Sequence, residues 1–327
     1  WPSTRRAPTA SSVAFHPEGT DRKLGVYAQG EFVWNDRLTL IPGLRIDFGD
    51  RTPSAATIAA GGAAASDEAI SPKLSALYKL NDNWGVFGTI ARTERMPTLD
   101  ELYSTDGGRL PSLNLEKESA DSIELGFTYQ REGLFAEDDM LQLKATAFHS
   151  DLSNLIVTNS ATGAVPRYLN VRSAEIWGGE LEASYDAERW FTSLGYSNVK
   201  SAYRDMPNPA ANGLTVADTP AENVSLTVGT KFPDRGLIVG WTAYYYDAIT
   251  TNSVATTAAG TITATHTTHY DTHDLFVTWK PETGALAGMD VTLTVENVFD
   301  ADYKNNLSLD RAQGMNAKLT IGKNFTW

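Results

Sequence analysis

His266 and His269 stand three residues apart in a Thr-rich stretch, with Tyr270 beside them and His273 four residues beyond. Imidazole is a common ligand for borderline metal ions, so this pair could share a metal ion or cap the iron of a chelate. The plainer alternative is two solvated loop residues. His16 and His149 have no partner nearby in sequence. A second set is cationic and phenolic: Arg95, Arg109 and Arg167, with Tyr103 and Tyr168. A guanidinium grips a carboxylate through two parallel hydrogen bonds, and a phenolate ligates ferric iron. The alternative for these arginines is solvation, or pairing with acidic neighbours such as Glu101 and Asp106. No nucleophile elbow, Walker loop or HExxH helix is present, so the expectation is a binding protein and not an enzyme.

The elements that must position these residues alternate with period two. Leu141, Leu143, Ala145 and Ala147 oppose Gln142, Lys144 and Thr146. Val291, Leu293 and Val295 oppose Thr292, Thr294 and Glu296, and Met315 to Ile321 repeats the pattern. Such alternation makes a sheet apolar on one face and wet on the other. About thirteen such strands fit between residues 24 and 327, among them 37–48, 70–80, 289–303 and 313–327. Short turns near 35–36, 81–83, 131–138, 187–188, 233–235 and 281–288 alternate with long connections near 49–69, 95–118, 158–170, 203–219, 249–269 and 304–312. Trp34, Trp84, Trp190 and Trp279 all border short turns, and Trp327 is the last residue. Trp prefers the boundary between lipid and water. The expected fold is therefore all-β, a transmembrane antiparallel barrel with its Trp girdle on the short-turn side. The Ala-rich stretch 55–65 and the Thr-rich stretch 250–268 are expected to be exposed, irregular tips. The candidate residues all fall in or beside the long connections.

The composition narrows the classes further. A net charge of −13 argues against nucleic acid as a partner. The absence of Cys excludes a disulfide framework and a thiolate zinc site. No run of eighteen apolar residues is present, which removes transmembrane helices but not strands. Thirteen strands cannot close a bacterial barrel by themselves, because exposed strand edges are not tolerated in lipid. The expectation is that residues 1–23 are a loop or incomplete strand and that 24–327 form only part of a larger barrel.

Several phrases resemble one family, the TonB-dependent outer-membrane receptors. Leu24 to Glu31 followed by Leu40 to Asp47 resembles its "YxQ.E…PGlRyD" strand pair. Ile70-Ser71-Pro72-Lys73-Leu74 is similar to its "SPk" strand start. Arg95-Met96-Pro97 through Glu101-Leu102-Tyr103 resembles the "FRAPxxxELY" box, with Glu94 where the family has Phe. Leu110 to Ser119, with Glu124-Leu125-Gly126, resembles "NPnLkpEtsxxxElG". Asn170 through Gly178-Gly179-Glu180-Leu181-Glu182 resembles "N…GxEle", and Asp218-Thr219-Pro220 is similar to "dtP". Glu296 to Tyr303 resembles "vxNLfdxxY", and the final strand to Trp327 is similar to the signal read by the barrel-assembly machinery.

The resemblance implies a 22-stranded barrel around a plug, of which this chain would supply the last thirteen strands while the plug domain lies outside it. It implies residence in the outer membrane of a Gram-negative bacterium, among lipid and lipopolysaccharide, with the short turns in the periplasm. It also implies active uptake of an iron complex, haem before a ferric siderophore, driven by TonB-ExbB-ExbD through the plug and its TonB box. No permanent cofactor is implied, since the haem or other iron complex is cargo. Haem receptors of the family generally carry an axial His in the loop that matches 95–118, yet those residues contain none. If haem is the ligand, His266 or His269 becomes the barrel-side axial candidate. Arg95, Arg109, Arg167 and Tyr168 could then meet its carboxylates, with Tyr103 as an alternative iron ligand. A self-contained passive channel of 12–14 strands and a soluble glycan-binding β protein remain the rival readings.

Overall fold

The computed structural model describes residues 17–105, 108–159, 161, 163–206, 208–254 and 261–324. The candidate His16, the acidic neighbour Asp106 and the terminal aromatics Phe325 and Trp327 lie outside the described residues.

One antiparallel meander dominates. β1 (Gly19–Gln29) and β2 (Phe32–Trp34) share a register on β3 (Leu38–Pro53) and together act as one strand. Next come β4 (Ala65–Lys79), β5 (Trp84–Arg95), β6 (Glu118–Glu132), β7 (Met140–Thr158), β8 (Tyr168–Asp186) and β9 (Trp190–Arg204). β10 (Asn223–Phe232) and β11 (Leu237–Tyr246) follow. A separate hairpin, β12 (Ile249–Val254) and β13 (Ile262–Thr267), then precedes β14 (Tyr270–Trp279), β15 (Met289–Glu296) and β16 (Asn316–Lys323). Each long strand pairs with its neighbours in chain order, and β14 adds directly to β11 past the inserted hairpin. Counted with β1 and β2 as one, the thirteen expected strands are all present.

The register puts like residues side by side. Val277, Leu293 and Leu319 form one row, and Leu74, Ile90 and Ile123 form another. All six are exposed. On the opposite face Ser75 meets Thr89 at 2.9 Å, Thr227 meets Thr242 at 3.0 Å and Thr278 meets Thr292 at 3.0 Å. A contiguous apolar face of this width calls for an apolar solvent or partner. Trp34, Trp84, Trp190 and Trp279 all fall on that apolar face, each at the short-turn end of its strand. Among the described residues no helix is long and apolar enough to cross a membrane, which says nothing of strands.

Strand ends differ from the expected bounds in an instructive way. β1 starts at Gly19 instead of residue 24, β3 runs to Pro53, and β4 starts at Ala65. There the alternation fades but backbone pairing continues, as in Arg51 opposite Ala65. β15 stops at Glu296 instead of continuing to 303, because Asn297 and Asp300 both adopt positive φ, and β16 starts at Asn316. Asn297 accepts from the Ala301 N–H and donates to the Ala301 carbonyl, closing a turn in which a strand would be expected.

The described residues of the two stretches expected as irregular tips include regular elements. Ala55–Ala59 is a short helix, α1, capped by the Ser54 hydroxyl, which accepts from the Thr57 N–H. The Thr-rich stretch contains the β12–β13 hairpin. Its Thr251, Asn252 and Val254 are buried.

Candidate functional site

All the candidate residues lie at the long-loop end of the sheet, but the structure gathers them into three separate groups. The first is built on α2 (Leu99–Tyr103), whose N-terminus carries a complete capping box. Thr98 accepts from the Glu101 N–H at 3.2 Å, and the Glu101 carboxylate accepts from the Thr98 N–H at 2.7 Å. The same carboxylate takes two hydrogen bonds from Arg95, at 2.9 and 3.0 Å, while Arg95 Nε donates to Glu118 at 2.6 Å. Arg95 is thus committed to two carboxylates of its own chain. Burial works against ionisation of Glu101, but the Arg95 and Thr98 donors outweigh it and hold the carboxyl below its ordinary range.

Tyr103 is 1% exposed, and its hydroxyl donates to the Ala63 carbonyl at 2.7 Å and the Arg51 carbonyl at 3.3 Å. Burial pushes its phenol up from 10.0, with Arg51 opposing. A buried, protonated hydroxyl already donating to backbone offers no phenolate to an incoming iron. Tyr103 instead pins α2 to the connection between β3 and β4. Glu94, which replaces a family Phe, is compensated by Lys117 at 2.8 Å and by the Ile70 N–H at 2.9 Å.

The second group joins two loops. Leu110 donates to the Val165 carbonyl at 2.9 Å, and Arg167 donates its N–H back to Leu110 at 3.2 Å. The Arg109 guanidinium donates to the Asn159 carbonyl. The Tyr168 N–H donates to the buried Ser112 hydroxyl at 2.8 Å. The Arg167 guanidinium lies 5.8 Å from the Tyr168 ring centroid. Arg109, Arg167 and Tyr168 are therefore neighbours, half-buried, and Arg109 is partly consumed by holding the loops together. Tyr168 also borders an apolar pocket of about 480 Å³ with Leu152, Val171, Ile176, Tyr203 and Met206.

The third group is the β12–β13 hairpin. Its inner side docks on β9 and the loop after it: the Tyr203 hydroxyl donates to the Asn252 carbonyl at 3.1 Å, and the Asn252 N–H donates to Thr215 at 2.9 Å. His266 and His269 are both exposed. His266 pairs across the hairpin with Thr250, its Nδ1 3.0 Å from the Thr250 hydroxyl. His269 sits in the link to β14. His273 does not join them. It lies on β14, stacked at 5.5 Å on Trp241, with Phe299 against its edge and Asp271 3.0 Å from its Nε2.

Sequence reasoning missed a fourth feature. Tyr246, Tyr270 and Tyr303 stack in series, with centroids 4.9 and 4.4 Å apart. With Tyr244, Asp274, Glu296 and Arg311 they line an open pocket of about 800 Å³ on the polar face. The signal was present in the run Tyr244-Tyr245-Tyr246, since period two puts the outer pair on the face otherwise occupied by Ser and Thr.

The comparisons with known proteins agree with this architecture. Residues 2–298 match the family model described as TonB dependent receptor-like, beta-barrel. The chain is 27% identical over 347 residues to the TonB-dependent heme receptor A of Haemophilus ducreyi, covering 95% of this chain and 46% of that protein. It is 29% identical over 273 residues to the TonB-dependent heme receptor A of Haemophilus influenzae strain Rd, covering 76% and 36%. The FrpB iron transporter from Neisseria meningitidis superposes with a TM-score of 0.71 at 20% identity, over 93% of this chain and 46% of that one, a likeness of fold alone. The chain spans less than half the length of the curated relatives it matches.

Proposed function

Because the chain belongs to the family of TonB-dependent receptor β-barrels, we propose that it forms the C-terminal part of the barrel of an outer-membrane receptor for an iron complex, haem before a ferric siderophore. One observation carries the choice of haem: a curated relative matched over 95% of this chain is named a heme receptor. In this reading the apolar face meets lipid and lipopolysaccharide, the polar face lines the lumen, and the long-loop end faces the medium. Insertion falls to the barrel-assembly machinery. The ligand arrives at the loops, where His266 and His269 are exposed imidazoles free of steric cover. An axial bond from one of them would fix haem iron, with a second ligand from elsewhere in the intact receptor. Tyr168 borders the apolar pocket that would receive a porphyrin edge, and the Arg167 guanidinium lies beside the Tyr168 ring. Release inward is the task of a plug and TonB box, energised by TonB-ExbB-ExbD. The chain's own residues bind and orient the cargo without transforming it.

Two measurements test this. In a haem-auxotrophic strain lacking other haem receptors, the intact receptor should support growth on haem only when TonB is present. TonB-independent growth would move the assignment to a passive channel. Absence of haem binding, together with tight binding of a ferric siderophore, would move it to the siderophore branch. For topology, Cys at Ala60 should be labelled by an impermeant maleimide on whole cells, and Cys at Asp82 should not. Both positions are exposed. Labelling at 82 alone would invert the orientation.

A further inference from the structure

The apolar face changes character toward the long-loop end. Two adjacent rows cross β5 to β8 there. The lower row reads Ile90, Ile123, His149, Trp177, and the upper reads Arg92, Asp121, Asp151, Glu175. All eight positions lie on the face that carries Leu74 and Leu125. The upper row thus places three carboxylates side by side. Arg92 is shared between Asp121 at 3.0 Å and Glu94 at 3.4 Å, and Arg204 contacts Glu175.

Within these rows, one ligand atom each from His149, Asp151 and Glu175 lies within 4.8 Å of the other two. Zinc–nitrogen and zinc–oxygen bonds are about 2.0–2.2 Å, so donors on one ion sit about 3–3.5 Å apart. Small side-chain rotations close that difference, since His149 Nε2 is already 3.4 Å from Asp151. Asp151 remains 68% exposed, leaving the outer side of the set open. Beside it runs a groove of about 500 Å³ whose floor includes Leu74, Ile90 and Ile123 and whose rim includes Arg92, Asp121, His149 and Asp151.

We propose that His149, Asp151 and Glu175 hold a divalent cation of the zinc or manganese class, whose free positions bind the phosphate of a membrane lipid lying in this groove. The mixed imidazole and carboxylate donors select a borderline first-row ion. The lipid follows from the groove itself. Its floor continues the apolar face, which suits acyl chains, while its lining sets Asp121 and Asp151 beside Lys73 and Arg92. Arg92 is already tied to Asp121 and Glu94, and the Asp151 carboxylate beside His149 would repel a bare phosphate. A bridging cation reverses that repulsion. Three donors leave one or more coordination positions for phosphate oxygen. The inference rests on the membrane reading of the apolar face but not on the identity of the transported ligand.

The test uses the intact receptor, purified in detergent and stripped with EDTA. Zn²⁺ by titration calorimetry and Mn²⁺ by electron paramagnetic resonance should each bind at one equivalent. Glu175→Gln and His149→Gln should each weaken binding at least tenfold while barrel heat-stability stays unchanged. Native mass spectrometry should show a phosphorylated lipid retained with metal and released by EDTA or by either variant. A dephosphorylated lipid of the same chains should not be retained, and inorganic phosphate should fail to compete. Absence of metal binding overturns the site. Metal binding with lipid retention unaffected by EDTA overturns the bridge, and competition by inorganic phosphate overturns the role of the groove. Haem-dependent growth and maleimide labelling are read separately, so failure here leaves the transport reading standing and failure there leaves this site testable.

Discussion

α2 and the β12–β13 hairpin are both insertions at the long-loop end, and they treat their polar groups in opposite ways. At α2 every notable group is spent inside the protein: Arg95 on two carboxylates, Glu101 on the cap, Tyr103 on backbone carbonyls. At the hairpin the inner side is buried against β9 while the His266 and His269 side chains stay exposed. The region with the most recognisable motif is thus architectural, and the region with the least sequence character leaves two imidazoles exposed. A box of Arg, Glu and Tyr at short spacing is well suited to fastening a loop, because each partner satisfies another locally. Availability to a ligand requires that this mutual satisfaction be missing.

The largest effect that can break this comparison is at Tyr103. Tyr103→Ala removes a fully buried aromatic ring and should lower the local stability of α2 by about 3–5 kcal/mol. Hydrogen exchange at residues 98–104 reads that loss directly. Tyr103→Phe keeps the ring and should cost only about 1 kcal/mol. Its ligand-bound visible spectrum should match that of the wild type. A charge-transfer band lost in the Phe variant would restore Tyr103 as an iron ligand and erase the contrast between the two insertions.

Arg95 comes next. Arg95→Ala leaves Glu101 and Glu118 facing each other without their shared cation. The guanidinium is about two-fifths exposed, so solvent screens part of the penalty, and about 1–2 kcal/mol is expected. The sign of the pH dependence is fixed by Glu101. Its folded pKa is depressed, so its contribution is present above the ordinary carboxylate range and fades as pH falls through the folded value. Exchange protection of α2 should therefore weaken on acidification in the wild type, and Arg95→Ala should flatten that dependence. An unchanged acid profile in the variant would show that Arg95 does not hold Glu101.

The same contrast explains what was legible in advance. The strands could be read because a sheet between lipid and water must alternate, and residues such as Leu293 against Thr292 and Thr294 report the face directly. The β12–β13 hairpin could not, because a Thr-rich segment pairs through backbone groups and by docking on Tyr203, which leaves no alternation to see. α1 was hidden for a similar reason: the Ala run reads as low complexity, and only the Ser54 cap marks its start. Of the site, the closeness of Arg109, Arg167 and Tyr168 depends on Leu110 meeting Pro166, a pairing of residues 56 positions apart that no local pattern encodes. The commitment of Arg95 was half visible, since Glu101 is a sequence neighbour but Glu118 arrives only through the β5–β6 register.

A smaller, sharper effect lies at the opposite end of the molecule. Asp139 is buried in the turn between β6 and β7. Burial alone would raise its pKa, but the Tyr185 hydroxyl at 2.6 Å and the N–H groups of Leu134, Phe135 and Ala136 at 2.7–2.9 Å outweigh that and bring it to about 2. Since the folded value lies below the ordinary 3.8, the turn keeps its full stabilisation above about pH 4 and loses it as pH falls toward 2. Exchange protection of residues 133–139 should show that step, and Asp139→Asn should abolish it. A step centred near pH 4 would mean that the four donors do not act on the carboxylate together.

The smallest effect on stability is expected at the hairpin, and it is the most informative. His266 is exposed, and its hydrogen bond with Thr250 is solvent-exposed as well. His269 is exposed in a connecting link. His266→Ala and His269→Ala should each change stability by no more than about 0.5 kcal/mol, the usual range for surface sites away from special features. If the hairpin contacts haem, the same substitutions should shift the Soret band of the intact receptor and weaken haem binding, the double variant most of all. A change in binding without a change in stability would separate the hairpin from α2, where stability and structure move together. The Thr250 contact also ranks the pair. With Nδ1 of His266 donating to the Thr250 hydroxyl, Nε2 would be the nitrogen offered to iron, the arrangement that suits an iron ligand held by a second partner. Thr250→Val should then weaken haem binding less than His266→Ala, and should have no effect in a His266→Ala background. An effect of Thr250→Val that persists there would detach Thr250 from His266 and leave His269 as the axial candidate.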